Sequence, residues 1–492
     1  WGLNMALILP GNVASATAAG YDVANSCRFN RADSPKHEKD LGTSTDDKKH
    51  TFSCWFKKCE NSVSSSEHGL MNSTADANNF VNCMFHSTDT WQYYAKIGGS
   101  QAMFLRPAAL FRDHSAWYHI VVGVDTSQST DTNRVKIYIN GTRVTSWNTE
   151  VYPDQNAVLD TNDSSAAIQI GCMKGPANYF HGYMAEVVFI DGLQYAASDF
   201  GEFDEDSPTI WKPKDVSGLT FGTNGFYMDF EDSANLGNDA NGGTDLSETN
   251  LAATDQATDS PTNNFCTLNP LASSIDTTNN VLEEGNLIVD HGDAAYDGGT
   301  ATFGFLGSQG GKWYWEIEVN ADSASANQGE FAGINMANED HGTVYDAFGT
   351  ESYLLATTGS NIIYKKDNSA VFTLTDPAGF SAGDHINVAL DLDNNKIWFG
   401  LNGTYYDMAD GSADGDPAGN SDGAAVSRDY DYLPYYRIYG ASAQLNFNFG
   451  NPPTGFAIAS GNADGNGYGN FEYAPPSGFL ALCTKNLGST GG

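Results

Sequence analysis

Basic residues are what this chain has least of. It carries 24 Lys and Arg against 61 Asp and Glu over 492 residues, a formal net charge of −37. That balance argues against a nucleic-acid partner, which needs clustered cations to neutralise phosphates, and it disfavours anionic membrane surfaces for the same reason. The acids lie in stretches rich in Asn, Gly and Ser, as on a solvated acidic surface. Cysteine is sparse too. The seven residues Cys27, Cys54, Cys59, Cys83, Cys172, Cys266 and Cys483 are odd in number and form no dense framework, so free buried thiols are the simplest account. That suits assembly in a reducing compartment and later exposure outside the cell. No apolar run approaches the roughly 18 to 20 residues that span a bilayer, so membrane insertion is not expected. Met5 to Leu9, with Ala14, Ala16 and Ala18, has a faint signal-peptide look. However, the first basic residue is Arg28, so classical secretion is unsupported.

What is present is apolar alternation. With 40% hydrophobic and 12% aromatic residues the chain can bury substantial cores, and its length suits two large sandwiches. Tyr118, Ile120, Val122 and Val124 alternate with His119, Val121, Gly123 and Asp125, the period of a strand. Val135, Ile137 and Ile139 lead into Asn140-Gly141, the strongest short hairpin turn. The pattern recurs where Ile386, Val388, Leu390 and Leu392 precede a strand that ends at Asn402-Gly403. Helical periodicity is scarce. The expected fold is all-β, with two concanavalin A-like, jelly-roll antiparallel sandwiches in tandem. The expected divisions are an N-terminal segment (1–25), a first sandwich (26–231), an Asp/Asn/Gly-rich connection (232–283), a second sandwich (284–485) and a flexible tail (486–492).

Five segments in order resemble a laminin-G-like, concanavalin A-like jelly roll: Thr51 to Phe56, Ala116 to Asp125, Val135 to Gly141, Ile168 to Gly171 and Phe180 to Asp191. Gly311 to Val319, Phe331 to Ile334, Ile386 to Gly403 and Leu445 to Gly450 resemble a SPRY domain. Further stretches, Leu7 to Ala16, Trp211 to Leu219, Asn263 to Pro270 and Pro476 to Phe479, are similar to a family of virion or fibre proteins encoded by marine bacteriophages. That resemblance implies a virion-associated or host-surface-binding role and supplies no ligand.

Catalytic signatures are mostly missing. Glu316 and Glu318 share one strand face, but Ala321 stands where a glycosidase pattern needs a third acid, so a solvent-facing pair opposite Trp313, Trp315 and Ile317 is expected. Glu202, Asp204 and Asp206 miss the same pattern at Ser207. There is no P-loop, no zinc-protease pair of histidines and no Cys-x-x-Cys. Calcium is the one cofactor worth weighing: Asn462, Asp464 and Asn466 place oxygens at alternate positions before Gly467, as calcium loops do. Asp410, Asp414, Asp416 and Asp422 form a second oxygen-rich loop. Ordinary turns use the same residues.

Aromatic faces stack on sugar rings while neighbouring amides bond the hydroxyls. Trp91, Tyr93 and Tyr94 form one aromatic group, and Tyr430, Tyr432, Tyr435 and Tyr436 another; core packing is the competing account of both. The expectation is a non-catalytic virion appendage or fibre at the virion surface. It would bind host-surface glycans or proteins and contact other virion proteins. A bacterial cell-surface or extracellular adhesin or lectin is the alternative, and a polysaccharide-cleaving enzyme a third reading. A homo-oligomer is also expected, with a trimer preferred, because clustered weak sites gain avidity. The apolar residues 5–9 of the N-terminal segment are the preferred contact.

Overall fold

The computed structural model describes residues 20–489 except 61–66, 87–88, 160, 163, 165, 175–177, 273–279, 293–295, 306, 322–330, 338–350, 358–360, 368 and 376–378. The apolar stretch 5–9, expected to mediate assembly, lies outside the described residues. The chain divides into two compact units, one ending at Asn264 and the other starting at Phe265. Both are built from antiparallel sheets, so the all-β expectation holds. Among the described residues no helix is long and apolar enough to cross a membrane.

In the N-terminal unit one eight-stranded sheet centres on Lys49–Lys58, which pairs with Trp117–Asp125 on one side and Gly182–Asp191 on the other. The facing sheet runs in the order Trp147–Val151, Ser100–Pro107, Trp91–Ile97, Phe80–Phe85, His68–Thr74, Ala167–Ile170, Lys36–Asp40, Ser247–Thr249. Alternation drives the packing. Ile120, Val122 and Val124 point into the core between the sheets with Trp91, Tyr93, Met103 and Leu105. Val121, Trp55 and Tyr183, on the opposite face of the first sheet, are buried in a second cluster with Phe200, Trp211, Val216 and Phe221. That sheet is therefore covered on both sides, and its strands are apolar on both.

The C-terminal unit pairs an eight-stranded sheet, centred on Lys312–Ala321, with a six-stranded sheet that contains Tyr432–Tyr439. One core holds Trp315, Ile317, Val319, Ile386, Val388, Tyr432 and Phe447. The stretch 232–283 is divided between the units. Ser247–Thr249 pairs with Lys36–Asp40, and Gln256–Ala257 with Ser26–Phe29, whereas Phe265 and Leu268 bridge to Cys483 and Ala301. Its polar composition hides these pairings because short edge strands need few apolar side chains. All seven cysteines are buried free thiols.

Each unit contains the same kind of hairpin turn. Asn140 and Gly141 have φ of 45° and 76°, and Asn402 and Gly403 have 50° and 80°, as the mirror-image hairpin turn requires. The Asn140 side chain accepts the backbone N–H of His119 at 2.8 Å, and Asn402 that of His385 at 2.8 Å. A Cβ on Gly141 would lie 2.3 Å from the Trp211 ring, and one on Gly403 2.5 Å from the Tyr473 ring. Glycine is needed at both for conformation and for space.

Candidate functional site

The Trp91–Ile97 strand buries Trp91, Tyr93 and Ala95 and turns Gln92, Tyr94 and Lys96 to the outer face of its sheet. Likewise Ser100–Pro107 buries Met103 and Leu105 and turns Phe104 and Arg106 outward. Strand register then builds a single row across the whole outer face: Ser247, Glu38, Gln169, Asn72, Asn82, Tyr94, Phe104 and Val151 are successive cross-strand partners. One half of this row is carboxylate and amide, and the other aromatic and apolar.

The polar half is tied down. Asn72 donates to Gln169 Oε1 at 3.1 Å and to the Cys172 carbonyl at 3.0 Å, and Gln169 donates to Glu38. Lys36 pairs with Glu38 and, with Gln169, holds its carboxyl below the usual range. The Gly171 to Lys174 segment crosses this half. A Cβ on Gly69 would come within 2.1 Å of the Cys172 carbonyl carbon, so the missing side chain allows the crossing. Asn72, Asn82 and Gln169 are buried as a result.

The aromatic half stays open. The rings of Phe80 and Tyr94 are 6.0 Å apart, and Tyr94 meets Phe104 edge to face at 5.5 Å. Tyr94 and Phe104 are partly exposed, whereas Phe80, on the same face, is buried. Cations flank the rings: Lys174 Nζ lies 4.0 Å and Lys96 Nζ 5.9 Å from the Phe80 centroid, and the Arg106 guanidinium carbon 4.9 Å from that of Phe104. Arg106 Nε and Nη2 both donate to Gln92 Oε1, at 3.0 and 2.5 Å, fixing the guanidinium against the ring. This geometry offers an apolar ring surface edged by hydrogen-bond donors, with Tyr94 and Phe104 set at right angles to each other.

Of the aromatics singled out in the sequence, Trp91 and Tyr93 are core residues, as are Tyr432, Tyr435 and Tyr436; Tyr94 and Tyr430 reach the surface. Phe80, Phe104, Lys96, Arg106 and Lys174 were missed. The outward phase of Phe104 and Arg106 was readable from the alternation around Met103 and Leu105.

The carboxylate pair differs from its expectation. Glu316 and Glu318 are buried rather than solvent-facing, because residues 451–481 return across that sheet face. The backbone N–H groups of Glu472 and Tyr473 donate to the Glu316 carboxylate at 2.9 and 2.8 Å, and the Tyr314 hydroxyl donates at 2.7 Å. Burial nevertheless pushes its pKa up to about 7. Glu318 accepts from Asn446 at 2.9 Å. Ser53 and His119 form a serine-histidine contact at 2.8 Å, but both are buried.

Asn462, Asp464 and Asn466 do share one loop, where they are employed as hydrogen-bond partners. Asp464 Oδ1 accepts the N–H groups of Asn466 and Tyr468, and Oδ2 those of Ala481 and the Asn486 side chain, all at 2.7 to 2.9 Å. Asn462 and Asn466 turn their amide nitrogens to the Glu472 carbonyl and the Asn486 side-chain oxygen. Asp410 and Asp414 accept from Ser412, and Asp416 from the Gly419 N–H. Among the described residues no three His, Cys, Asp or Glu side chains are grouped to hold a metal ion.

Residues 34–193 match the family model of the concanavalin A-like lectin/glucanases superfamily. This concanavalin A-like stretch contains seven of the eight strands of the row-bearing sheet. No curated protein matches the chain. Solved structures similar to it include the SPRY domain of human HERC1, at 18% identity, covering 39% of this chain and 99% of that one, with a TM-score of 0.27. Another is a proposed carbohydrate-binding protein of Bacteroides ovatus, at 14% identity, covering 46% of this chain and 58% of that one, with a TM-score of 0.30. A third is domain 4 of the extracellular arabinanase AbnA of Geobacillus stearothermophilus, in complex with arabinotriose, at 15% identity, covering 38% and 82%, with a TM-score of 0.24.

Proposed function

We propose that this chain is a non-catalytic carbohydrate-binding protein that takes its ligand on the outer sheet face of the concanavalin A-like unit. The observation that carries the reading is the partly exposed Tyr94 and Phe104 pair, which has Phe80 beside Tyr94 and is continuous with an amide row across the sheet. Such rings stack on pyranose faces while flanking donors fix the hydroxyls. The superfamily name, lectin/glucanases, agrees with binding and leaves hydrolysis as the second reading. Against hydrolysis stands the burial of Glu316 and Glu318 beneath residues 451–481. Co-sedimentation of the full chain with insoluble polysaccharides, followed by a reducing-end assay on the same samples, tests both points. Retention without release is the expected result. Release of reducing ends, lost in Glu316→Gln, would make the protein an enzyme.

The setting is proposed from sequence resemblance alone: a virion appendage engaging host-surface glycans, with a cellular adhesin as the alternative. Mass spectrometry of purified virions separates them. We further propose a homo-oligomer, a trimer through residues 1–25, because several weak sites then act together. Light scattering of the chain with and without those residues checks it, and equal monomeric masses would refute it.

A further inference from the structure

The structure assigns a charge to the ligand: we propose that the outer face takes an anionic glycan, one bearing sulfate esters or carboxylates, held by Lys96 and Lys174 at one end of the aromatic track and Arg106 at the other. This rests on the carbohydrate-binding reading above and adds the ligand class.

Three of only 24 basic residues in a chain of net charge −37 converge on one ring cluster. A site for neutral sugar needs no such gathering. Among the described residues none of the three forms an ion pair; Lys174 Nζ donates to the Ala77 carbonyl at 2.8 Å and Arg106 to Gln92. Their nearest electrostatic acids are Asp76, acting on Lys174, and Glu67, acting on Arg106. Asp76 is occupied with the backbone N–H groups of Asn78 and Asn79 and the Asn79 amide. Burial first, and then the Lys96 charge, pulls the Lys174 pKa down. The two ammonium groups thus repel across Phe80, and an anion between them would relieve that repulsion.

Sequence register fixes the spacing. Phe80 stands opposite Lys96 and Tyr93 opposite Leu105, so Arg106 lies beside Gln92, to which it donates. Lys96 and Arg106 are therefore about four residues apart along the strands, roughly 13 Å. One monosaccharide cannot touch both, whereas a chain lying over Tyr94 and Phe104 can. Arg106 spends Nε–H and one Nη2–H on Gln92, which leaves the Nη1 and second Nη2 protons for a ligand, and the two lysines act as compact point charges, so sulfate esters and uronate carboxylates can both be held. The remaining acidic surface does not prevent this, because charges more than about 8 Å away are largely screened at physiological ionic strength.

The test is isothermal titration of the full chain with a sulfated polysaccharide, the same polysaccharide after chemical desulfation, and a uronate polysaccharide of matched charge density. The charged forms are expected to bind at least tenfold more tightly than the desulfated one, and comparison of the two charged forms shows which anion is held. In Lys96→Gln/Lys174→Gln and in Arg106→Gln that sulfated-to-desulfated ratio should fall toward one, with melting temperatures unchanged. Equal affinity for charged and uncharged chains would overturn the charge assignment while leaving carbohydrate binding intact. Absence of binding to every glycan would overturn both.

Discussion

The indole N–H of Trp211 donates to Nδ1 of His119 at 2.9 Å. An indole can only donate, so Nδ1 accepts and the ring proton sits on Nε2, which faces the Ser53 hydroxyl at 2.8 Å. The imidazole, stacked on Trp55 with centroids 4.6 Å apart, is fixed in its neutral form, and burial lowers its pKa to about 3.

Acid should therefore unfold the N-terminal unit. Burial also takes His37, His50 and His68 to about 3 and His114 to about 4, from 6.5. With folded values depressed, the unfolded chain binds protons first, so the stability present above 6.5 is lost as pH falls below it. Each histidine removes up to about 1.4 kcal/mol per pH unit. Together the five remove on the order of 5 kcal/mol between pH 7 and 5.5, comparable to the whole stability of a domain. Circular dichroism melts across this range should show a steep fall in the melting temperature of one transition; a flat profile down to pH 5 would refute the neutral assignment.

Glu186 predicts the opposite pH dependence in the same unit. It lies at a β-bulge with φ of 51°, and its carboxyl receives the Tyr227 hydroxyl at 2.8 Å and the Tyr21 hydroxyl at 3.2 Å. Burial raises its pKa from 4.5 to about 8. Its contribution is complete below 4.5 and is lost as pH rises through 8. Glu186→Gln mimics the protonated acid, so it should match the parent at pH 5 and exceed it at pH 8.5 by a few kcal/mol. Denaturant melts at the two pH values measure this, and equal differences at both would show that the carboxyl is ionised throughout.

Alternation and the two Asn-Gly turns made the fold class legible, since each reports a property of neighbours in sequence. Tyr94 was legible because it lies beside Trp91 and Tyr93. Its partnership with Phe80, Phe104 and Lys174 was not, because register between strands decides which outward side chains meet. Glu316 was misplaced for a related reason: its strand has a polar outer phase, but residues 451–481 arrive from more than a hundred positions away to cover it. Nor does composition distinguish Asp464, a hydrogen-bond anchor, from a cation ligand, because both roles use an acid within a glycine-rich turn.

Asp464 joins the 462–472 loop to the C-terminal segment through four N–H donors. Removing it leaves those donors unmatched, so Asp464→Ala should cost about 3 kcal/mol. Calcium should leave the parent melting temperature unchanged. A rise of several degrees with calcium, reversed by a chelator, would instead give the loop a cation-binding role.

The central claim is that the aromatic half of the sheet face binds the glycan, and the affinity of Tyr94→Ala/Phe104→Ala for a polysaccharide that binds the parent tests it most directly. Tyr430→Ala, at an exposed ring of the C-terminal unit, is the control. Central aromatic contacts of this kind are worth about 2 kcal/mol or more each, so the double variant should lose at least a hundredfold in affinity with its melting temperature retained, and Tyr430→Ala should bind as the parent does. Parent-like binding by the double variant, or loss confined to Tyr430→Ala, would contradict the account.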